Sequence, residues 1–303
     1  MASHVDAQAV QWDLTDLFDG FDDPKFTELV QSAPKLAVDF SRKYRGQLCE
    51  LSGDSLAAAF QELEACLIPL YEASQFVHLQ FSIDTASTTI QHWVQTMDEL
   101  ETIVQNHLLF FNLELGTLTD TQCEAVLAES SALTRYAYTI RRIVKHARYY
   151  LTEPEEKVIN LKTINGSQAF ESLYNELTAS FQFSITVDGE EKTMNGAQLR
   201  ALRQHADPVV RKTAMRLFFE RYESHAIPLS KSFLAIIKDS VQSCQLRGYE
   251  SPIDVMNQRN DLPKNVVDQL HAVTQSSNTL VQRYYQLKKT ILGLDTLTLS
   301  DIY

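Results

Sequence analysis

The sequence predicts an all-α protein, built mainly from helical hairpins in a bundle, with one small β-hairpin near residues 181–194. Apolar residues recur at helical spacing along most of the chain. Glycine and proline are scarce, at nine and eight of 303 residues, which disfavours disorder and loop-rich β folds. One short segment alternates apolar and polar residues around an Asp-Gly pair, a pattern typical of a tight hairpin.

The first half of the sequence predicts successive helices with recognisable ends. Asp23 and Pro24 are typical of a helix N-terminus, as cap and first helical residue. Two prolines fall inside predicted helices: Pro34 is expected to kink or divide the first, and Pro69 to bend the second. The predicted helices span about 24–45, 52–81, 88–115, 119–129 and 132–151.

The segment 151–177 predicts two helices with a break between them. Thr152 is a candidate N-cap, Glu155 closes a capping box, and Pro154 lies in the first turn, where its missing N–H costs little. The turn residues Asn165-Gly166-Ser167 then interrupt the helical pattern.

The second half predicts the hairpin, with Asp188-Gly189 as its two-residue turn, and two long helices. The first of these runs from Asp207-Pro208 towards Leu246 with a kink at Pro228. The other runs from about 262 to 292 and stops at Gly293. The predicted domains are an N-terminal helical domain, 1–180, and a segment, 181–303, in which the hairpin and long helices lead into a missing catalytic domain.

The predicted core joins the third helix to the last one. Apolar side chains at core spacing on these two helices are expected to be largely buried. They are Trp93, Met97, Val104, Leu108, Phe111, Leu270, Val273, Leu280 and Leu287.

Composition limits the classes of function. The formal charge is −12, so an overall affinity for nucleic acid is not expected. The four cysteines have wide, irregular gaps, which favours reduced thiols in a cytoplasmic protein over a disulfide framework. The N-terminus resembles no signal peptide, and no long apolar run predicts a membrane span.

The sequence contains no H-E-x-x-H, the motif in which two histidines one helical turn apart bind zinc and the glutamate acts as general base. Phosphate-binding glycine loops and the G-x-S-x-G elbow are also absent from the sequence. We therefore predict no catalytic, cofactor-binding or metal-binding residue in this chain. Its eight histidines never lie four residues apart: His4, His78, His92, His107, His146, His205, His225 and His271.

Three weaker signals favour structural roles. Asp268 and His271 lie one helical turn apart, a spacing that is common by chance. The adjacent pairs Glu155-Glu156 and Glu190-Glu191 point in diverging directions, unlike an acid/base dyad. The basic, aromatic segment 135–150 suits an amphipathic helix whose cations face acidic neighbours, with peptide-carboxylate or RNA contact as alternatives.

Short motifs along nearly the whole chain resemble one family in order and spacing. They are Trp12-Asp13-Leu14-Thr15-Asp16-Leu17-Phe18, the Y-R-G within Phe40–Leu48, the segment 151–177, Arg247-Gly248-Tyr249-Glu250-Ser251-Pro252, Arg283-Tyr284-Tyr285 and Leu292-Gly293-Leu294. Together they resemble the oligoendopeptidase F branch of the thimet-oligopeptidase-like zinc metallopeptidases. In that family the zinc motif lies downstream of these landmarks, and 300–303 resembles the entry into the catalytic half.

The resemblance implies the N-terminal portion of a zinc metalloendopeptidase that hydrolyses short peptides. It implies an all-α shell around a channel, with this lobe as channel wall or lid. Zinc would be bound by the missing C-terminal catalytic half, so the 303-residue chain alone is expected to be inactive.

Two other hypotheses stay open from the sequence. A non-catalytic helical module that binds peptides or a protein partner fits the same helices and charge. A nucleic-acid-binding protein rests on the segment 135–150 alone.

Overall fold

The computed structural model describes residues 13–85 and 87–302, so His4 and Trp12 lie outside the described residues. The chain forms two compact units, Met1–Asn165 and Gly166–Tyr303. Both are mainly helical, and the described strands form one antiparallel pair, which confirms the predicted fold class. The predicted domain division after residue 180 stays a prediction.

The first unit contains six α-helices within its described residues. They are α1 (Pro24–Tyr44), α2 (Gly53–Ile83), α3 (Thr88–Leu115), α4 (Asp120–Glu129), α5 (Ala137–His146) and α6 (Glu153–Thr163). Short 3-10 turns lie at Leu48–Glu50, Ser131–Tyr136 and Ala147–Tyr149. The predicted helices are present, and α1 continues through Pro34 without division. The helix predicted over 132–151 is α-helical only from Ala137 to His146, with 3-10 turns on both sides.

Polar side chains cap these helices where the sequence indicates. The Asp23 carboxylate accepts a hydrogen bond from the Lys25 N–H at the start of α1, at 2.8 Å. At the start of α6, the N–H and hydroxyl of Thr152 both donate to Glu155, at 2.9 and 2.6 Å. Each contact satisfies polar groups that a helix end leaves unpaired.

The core of the first unit is aromatic and lies between α1, α2 and α3. Phe26, Phe76 and Phe111 are at most 2% exposed. The Phe111 ring meets Phe60 edge-on at 4.9 Å between centroids, and Trp93 packs against the core as a partly buried residue. On α3 the other residues predicted as core are buried: Met97, Val104 and Leu108.

The second unit begins near a helical break. A π-helical turn, Ile164–Gln168, contains Gly166 at φ −109° and ψ −114°, which confirms the predicted interruption. The elements that follow are α7 (Ala169–Ala179), β1 (Gln182–Val187), β2 (Glu190–Asn195), α8 (Gly196–Ala201), α9 (Pro208–Ser224), α10 (Ala226–Leu246), α11 (Pro252–Arg259), α12 (Lys264–Ser276) and α13 (Asn278–Ile291). Short 3-10 turns lie at Leu202–Gln204 and Leu299–Asp301.

The predicted hairpin is confirmed in position and turn. Asp188 and Gly189 have φ values of 54° and 82°, the left-handed pair that a two-residue turn with the twist of the strands requires. Strand β1 buries alternate residues, Phe183, Ile185 and Val187, each at most 4% exposed. These three side chains, with Phe181, Leu199, Val210 and Ala214, form the core of the second unit.

The long helix predicted from residue 208 to 246 is two helices. The break lies at His225 (φ −115°, ψ 22°), three residues before Pro228, where a kink is predicted. A proline ring clashes with the carbonyl four residues earlier, here that of Ser224, and the helix ends at that residue.

The predicted helix over 262–292 is also wrong as a single element. It divides at Ser277 into α12 and α13, and Gly293, at φ 63°, follows as expected. The short helix α11, which precedes it, is not predicted.

The prediction that the last helix joins the core is wrong. Leu270, Val273, Leu280 and Leu287 are 65, 51, 64 and 60% exposed, and neither α12 nor α13 has a buried residue. The apolar pattern is present, but no element among the described residues covers it.

We predict that Phe111→Ala lowers the free energy of unfolding by about 3–5 kcal/mol, because it leaves a cavity between well-packed rings. Reversible urea denaturation measures the change. The matched control is Leu270→Ala, expected to change stability by less than about 0.5 kcal/mol since the side chain is exposed. Equal losses in the two variants would contradict the burial pattern.

Candidate functional site

The histidines of the described residues are spread along the chain, and the two that share a helix, His92 and His107 on α3, lie fifteen residues apart. Within residues 13–85 and 87–302, no group of three or more His, Cys, Asp or Glu side chains is arranged to hold a metal ion. Protein zinc sites need at least three such ligands. The described residues therefore do not fit a catalytic zinc ion.

The candidate pair Asp268 and His271 is not brought together as an oriented dyad. Asp268 instead lies 3.5 Å from the ammonium of Lys264, one turn earlier on α12, and both side chains are exposed. Such a surface pair contributes little to stability.

The basic segment 135–150 meets acidic neighbours. The guanidinium of Arg141 donates two hydrogen bonds to Glu124, at 2.6 and 2.7 Å, and that of Arg135 reaches Glu64 at 3.0 Å. The contact with Arg141 holds the pKa of Glu124 below its usual value. These pairings favour the structural interpretation of the segment over RNA contact.

The adjacent glutamates also have local structural roles. Glu155 caps α6, and hydrogen bonds from Thr152 hold its pKa below the usual value. Glu156 is 6% exposed and accepts a hydrogen bond from the Leu151 N–H at 3.0 Å. Glu190 lies 3.6 Å from Lys192 on the hairpin.

A buried ion pair in the second unit holds the segment 298–302 against α9. Arg211 lies 3.2 Å from Asp301, and their side chains are only 12% and 0% exposed. The same guanidinium donates to the carbonyls of Ser300, His205 and Ala206 at 2.9–3.0 Å. We call this arrangement the Arg211 clamp.

Hydrogen bonds complete the clamp on the carboxylate side. The N–H and hydroxyl of Thr298 donate to Asp301, at 3.0 and 2.6 Å. The Thr298 contacts and Arg211 lower the pKa of Asp301 although burial raises it. The clamp joins residues 90 positions apart, and no pattern in the sequence identifies it.

The largest unexplained feature is apolar surface on the second unit. Helix α10 exposes Ile227, Phe233, Leu234 and Leu246, each more than half exposed. A second stripe follows α12 and α13, and we call it the α12–α13 seam. It consists of Val266, Leu270, Val273, Leu280, Tyr284, Leu287 and Ile291. Exposed apolar side chains in such number are unusual on a protein surface.

Two family sequence models match the chain. One, described as Oligopeptidase F, matches residues 114–183, and the other, described as Peptidase family M3, matches residues 201–303. Together the matches cover more than half of the sequence. The chain belongs to the oligopeptidase F branch of peptidase family M3.

Relatives of this M3 chain align along nearly all of it. Group B oligopeptidase PepB of Streptococcus agalactiae is 24% identical over 99% of this chain and 50% of PepB. Oligopeptidase PepF of Bacillus subtilis is 22% identical over 96% of this chain and 43% of PepF. The chain thus spans about half the length of the curated relatives it matches.

Solved structures share the fold. Oligoendopeptidase F from Enterococcus faecium superposes with a TM-score of 0.81 and 22% identity, covering 92% of this chain and 55% of that one. PZ peptidase A, solved with an inhibitor, gives a TM-score of 0.67 at 16% identity, over 91% and 46% of the two chains. In the described part of this M3 chain, no helix has the length and apolar character needed to cross a membrane.

We predict that Arg211→Met lowers the free energy of unfolding by about 3–5 kcal/mol, because it leaves the carboxylate of Asp301 buried without its partner. Urea denaturation measures the loss. The double variant Arg211→Met/Asp301→Leu removes both charges and should recover part of it. A double variant as unstable as the sum of both single changes would contradict the pairing.

We also predict that the clamp weakens in acid. The lowered pKa of Asp301 means that its contribution is fully present above the unfolded-state value of about 3.9. That contribution is lost as the pH falls through the lower folded-state value. Below about pH 4, stability should therefore fall more steeply in the wild type than in Asp301→Asn. Urea denaturation at several pH values between neutral pH and about pH 3 measures the free energy of unfolding of both proteins. The same pH dependence in the wild type and in Asp301→Asn would refute this prediction.

Proposed function

We propose that this chain is the N-terminal lobe of an oligoendopeptidase-F-like zinc metalloendopeptidase that hydrolyses short peptides. The observation that carries the proposal is the alignment of nearly the whole chain with only half of PepB and PepF, oligopeptidases by name. The catalytic zinc site is assigned to the other half of the longer protein, since the described residues lack a zinc-binding group.

In this proposal the lobe forms a wall or lid of the substrate channel. Its contribution to rate is to position the peptide and exclude water, and the bond chemistry takes place on residues of the catalytic half. The partners are short peptides and that catalytic half, without nucleic acid or membrane. The proposed compartment is the cytoplasm, because the four free thiols suit a reducing environment.

We predict that residues 1–303 alone bind no stoichiometric zinc and do not cleave peptides. Hydrolysis by a zinc peptidase requires a metal-activated water, a general base and at least three protein ligands. Elemental analysis of the purified chain measures zinc, and a quenched fluorescent oligopeptide measures turnover with and without added zinc. Stoichiometric zinc together with chelator-sensitive turnover would overturn the proposal.

The matched control is the same chain extended by the downstream reading frame of the gene. An H-E-x-x-H within about the next hundred codons, at the distance that the family resemblance implies, supports the peptidase. The extended protein should then bind zinc and cleave the peptide, and changing either histidine of that motif should abolish both properties. An extended protein that carries the motif but remains inactive contradicts the assignment.

The second candidate is a non-catalytic helical module that binds peptides or a protein partner. The exposed apolar residues of α10, α12 and α13 favour it, because such surface marks interaction sites. A genuine stop codon directly after Tyr303 in the gene, together with the absence of activity, would favour this module over the peptidase lobe.

A further inference from the structure

Five arginine and lysine residues and no acidic residue lie in the segment 131–150, although the chain has a net charge of −12. Three of them lie on helix α5, and the other two lie on the 3-10 turns before and after it. Two of the five are paired, Arg135 with Glu64 and Arg141 with Glu124. The remaining three form what we call the α5 basic face: Arg142, Lys145 and Arg148.

The core contacts of α5 turn this face towards solvent. Ile140 and Ile143 are 0% and 8% exposed, and they lie on one side of the helix. Arg142 and Lys145 lie three residues apart on the opposite side, one turn after Tyr138, and both are exposed. Because the two isoleucines pack into the core, they fix the rotation of α5 about its axis. The cations are therefore held in solvent by the packing of the helix.

No carboxylate in the described part of the chain pairs with the α5 basic face. Within residues 13–85 and 87–302, the side chains of Arg142 and Lys145 have neither a hydrogen bond nor an ion pair. Arg148 donates a hydrogen bond to the Tyr149 hydroxyl at 2.6 Å, and its guanidinium lies over the Tyr149 ring at 4.6 Å. These contacts orient the guanidinium but leave its charge, because the tyrosine hydroxyl is neutral.

The two paired arginines of the same segment show which chemical group fits this face. Arg135 and Arg141 each donate two hydrogen bonds to one carboxylate, at 2.6–3.1 Å. Such charge-assisted bonds are the strong contacts of a guanidinium. The face itself is about 9 Å long, from the rise of 1.5 Å per residue between Arg142 and Arg148. About three residues of an extended peptide span that length, so a short acidic run matches it.

Larger polyanions fit the α5 basic face less well than a short peptide does. Nucleic-acid binding draws its strength from many phosphate contacts, and three cations provide few. A long polyanion would also reach the rest of a chain whose net charge is −12. A short peptide is largely screened from charges beyond a Debye length of about 8 Å. A helix that lies on a membrane carries large apolar side chains beside its cations, whereas on the exposed side of α5 the one large uncharged side chain is that of Tyr138.

We propose that the α5 basic face binds short peptides that carry a run of aspartate or glutamate residues. Arg142 and Lys145 pair with carboxylates of the peptide, and Arg148 extends the face towards the next turn. That such peptides are substrates rests on the proposed function, and the face then raises the local concentration of acidic substrates. The binding itself requires neither zinc nor the catalytic half.

The test uses residues 1–303 and two short peptides that carry the same uncharged fluorophore. One peptide contains a run of glutamates flanked by glycine and serine, and the other has glutamine at each of those glutamate positions. Fluorescence anisotropy near physiological salt should show the glutamate peptide binding about tenfold more tightly, as expected for a few exposed ion pairs together. The difference should shrink as the salt concentration rises, because salt screens exposed charges.

Matched variants locate the binding. Arg142→Gln/Lys145→Gln should bring the affinities of the two peptides to within about twofold of each other. The control, Lys231→Gln/Lys238→Gln, removes the same charge from α10 and should leave the preference unchanged. All four side chains are exposed and have no ion pair among the residues that the structure describes, so both variants should fold like the parent chain. Circular dichroism and urea denaturation check that expectation.

Equal binding of the two peptides, or no binding of either, would overturn the proposal. An equal loss of preference in the two double variants would also overturn it, because net charge and not the α5 basic face would then decide the binding. Single-stranded RNA or anionic phospholipid vesicles are the competing ligands. Tighter binding of either, lost in Arg142→Gln/Lys145→Gln, would assign the face to a polyanion instead. These outcomes are independent of the zinc and turnover measurements, which test the peptidase assignment alone.

Discussion

A short helix is stable in water only when its apolar face packs against another element. This constraint separates the helices of this chain whose apolar faces are covered from those whose apolar faces are exposed. In the first unit, α1, α2 and α3 bury their apolar faces against one another around a cluster of aromatic rings. In the second unit, the hairpin, α8 and α9 share a small core. Helices α12 and α13 have no buried residue, so their apolar faces stay largely exposed in the described part of the chain.

In the first unit, the short Y-R-G motif makes several contacts with distant parts of the chain. Arg45, in the Y-R-G motif, donates two hydrogen bonds to Glu153 at 2.8–2.9 Å and lies over the ring of Phe110 at 4.6 Å. The next residue, Gly46, takes a positive φ of 77° and donates its N–H to Glu114 at 2.7 Å. One corner thereby joins the ends of α1 and α3 to the start of α6, which gives the motif a structural role.

The second unit combines a specific buried contact with an open surface. The Arg211 clamp holds the segment 298–302 in place through charge-assisted hydrogen bonds, which are strong when they are shielded from water. The α12–α13 seam, which precedes this segment in the sequence, leaves large apolar side chains exposed to solvent. The second unit of this chain, which aligns with about half the length of PepB and PepF, therefore has both a segment fixed by buried contacts and an exposed apolar face.

The amino-acid sequence by itself determined much of the local structure, although it did not reveal the division at Ser277 or the helix α11. Capping residues such as Asp23 and Thr152 place helix starts, because they satisfy backbone groups within one turn. Asp188-Gly189 places the hairpin turn, because few residue pairs accept two positive φ values. The short motifs, taken in order, also indicated the M3 family, and the matches to the family confirm it.

Only the tertiary structure decided which apolar faces are covered. The apolar spacing of α3 and of α12–α13 is alike in sequence, yet Phe111 is buried and Leu270 is 65% exposed. Periodicity reports that a helix has an apolar face, whereas burial depends on whether another element reaches that face. The Arg211–Asp301 pair was unpredictable for the same reason, because its two residues lie far apart along the chain and meet only when the second unit has folded.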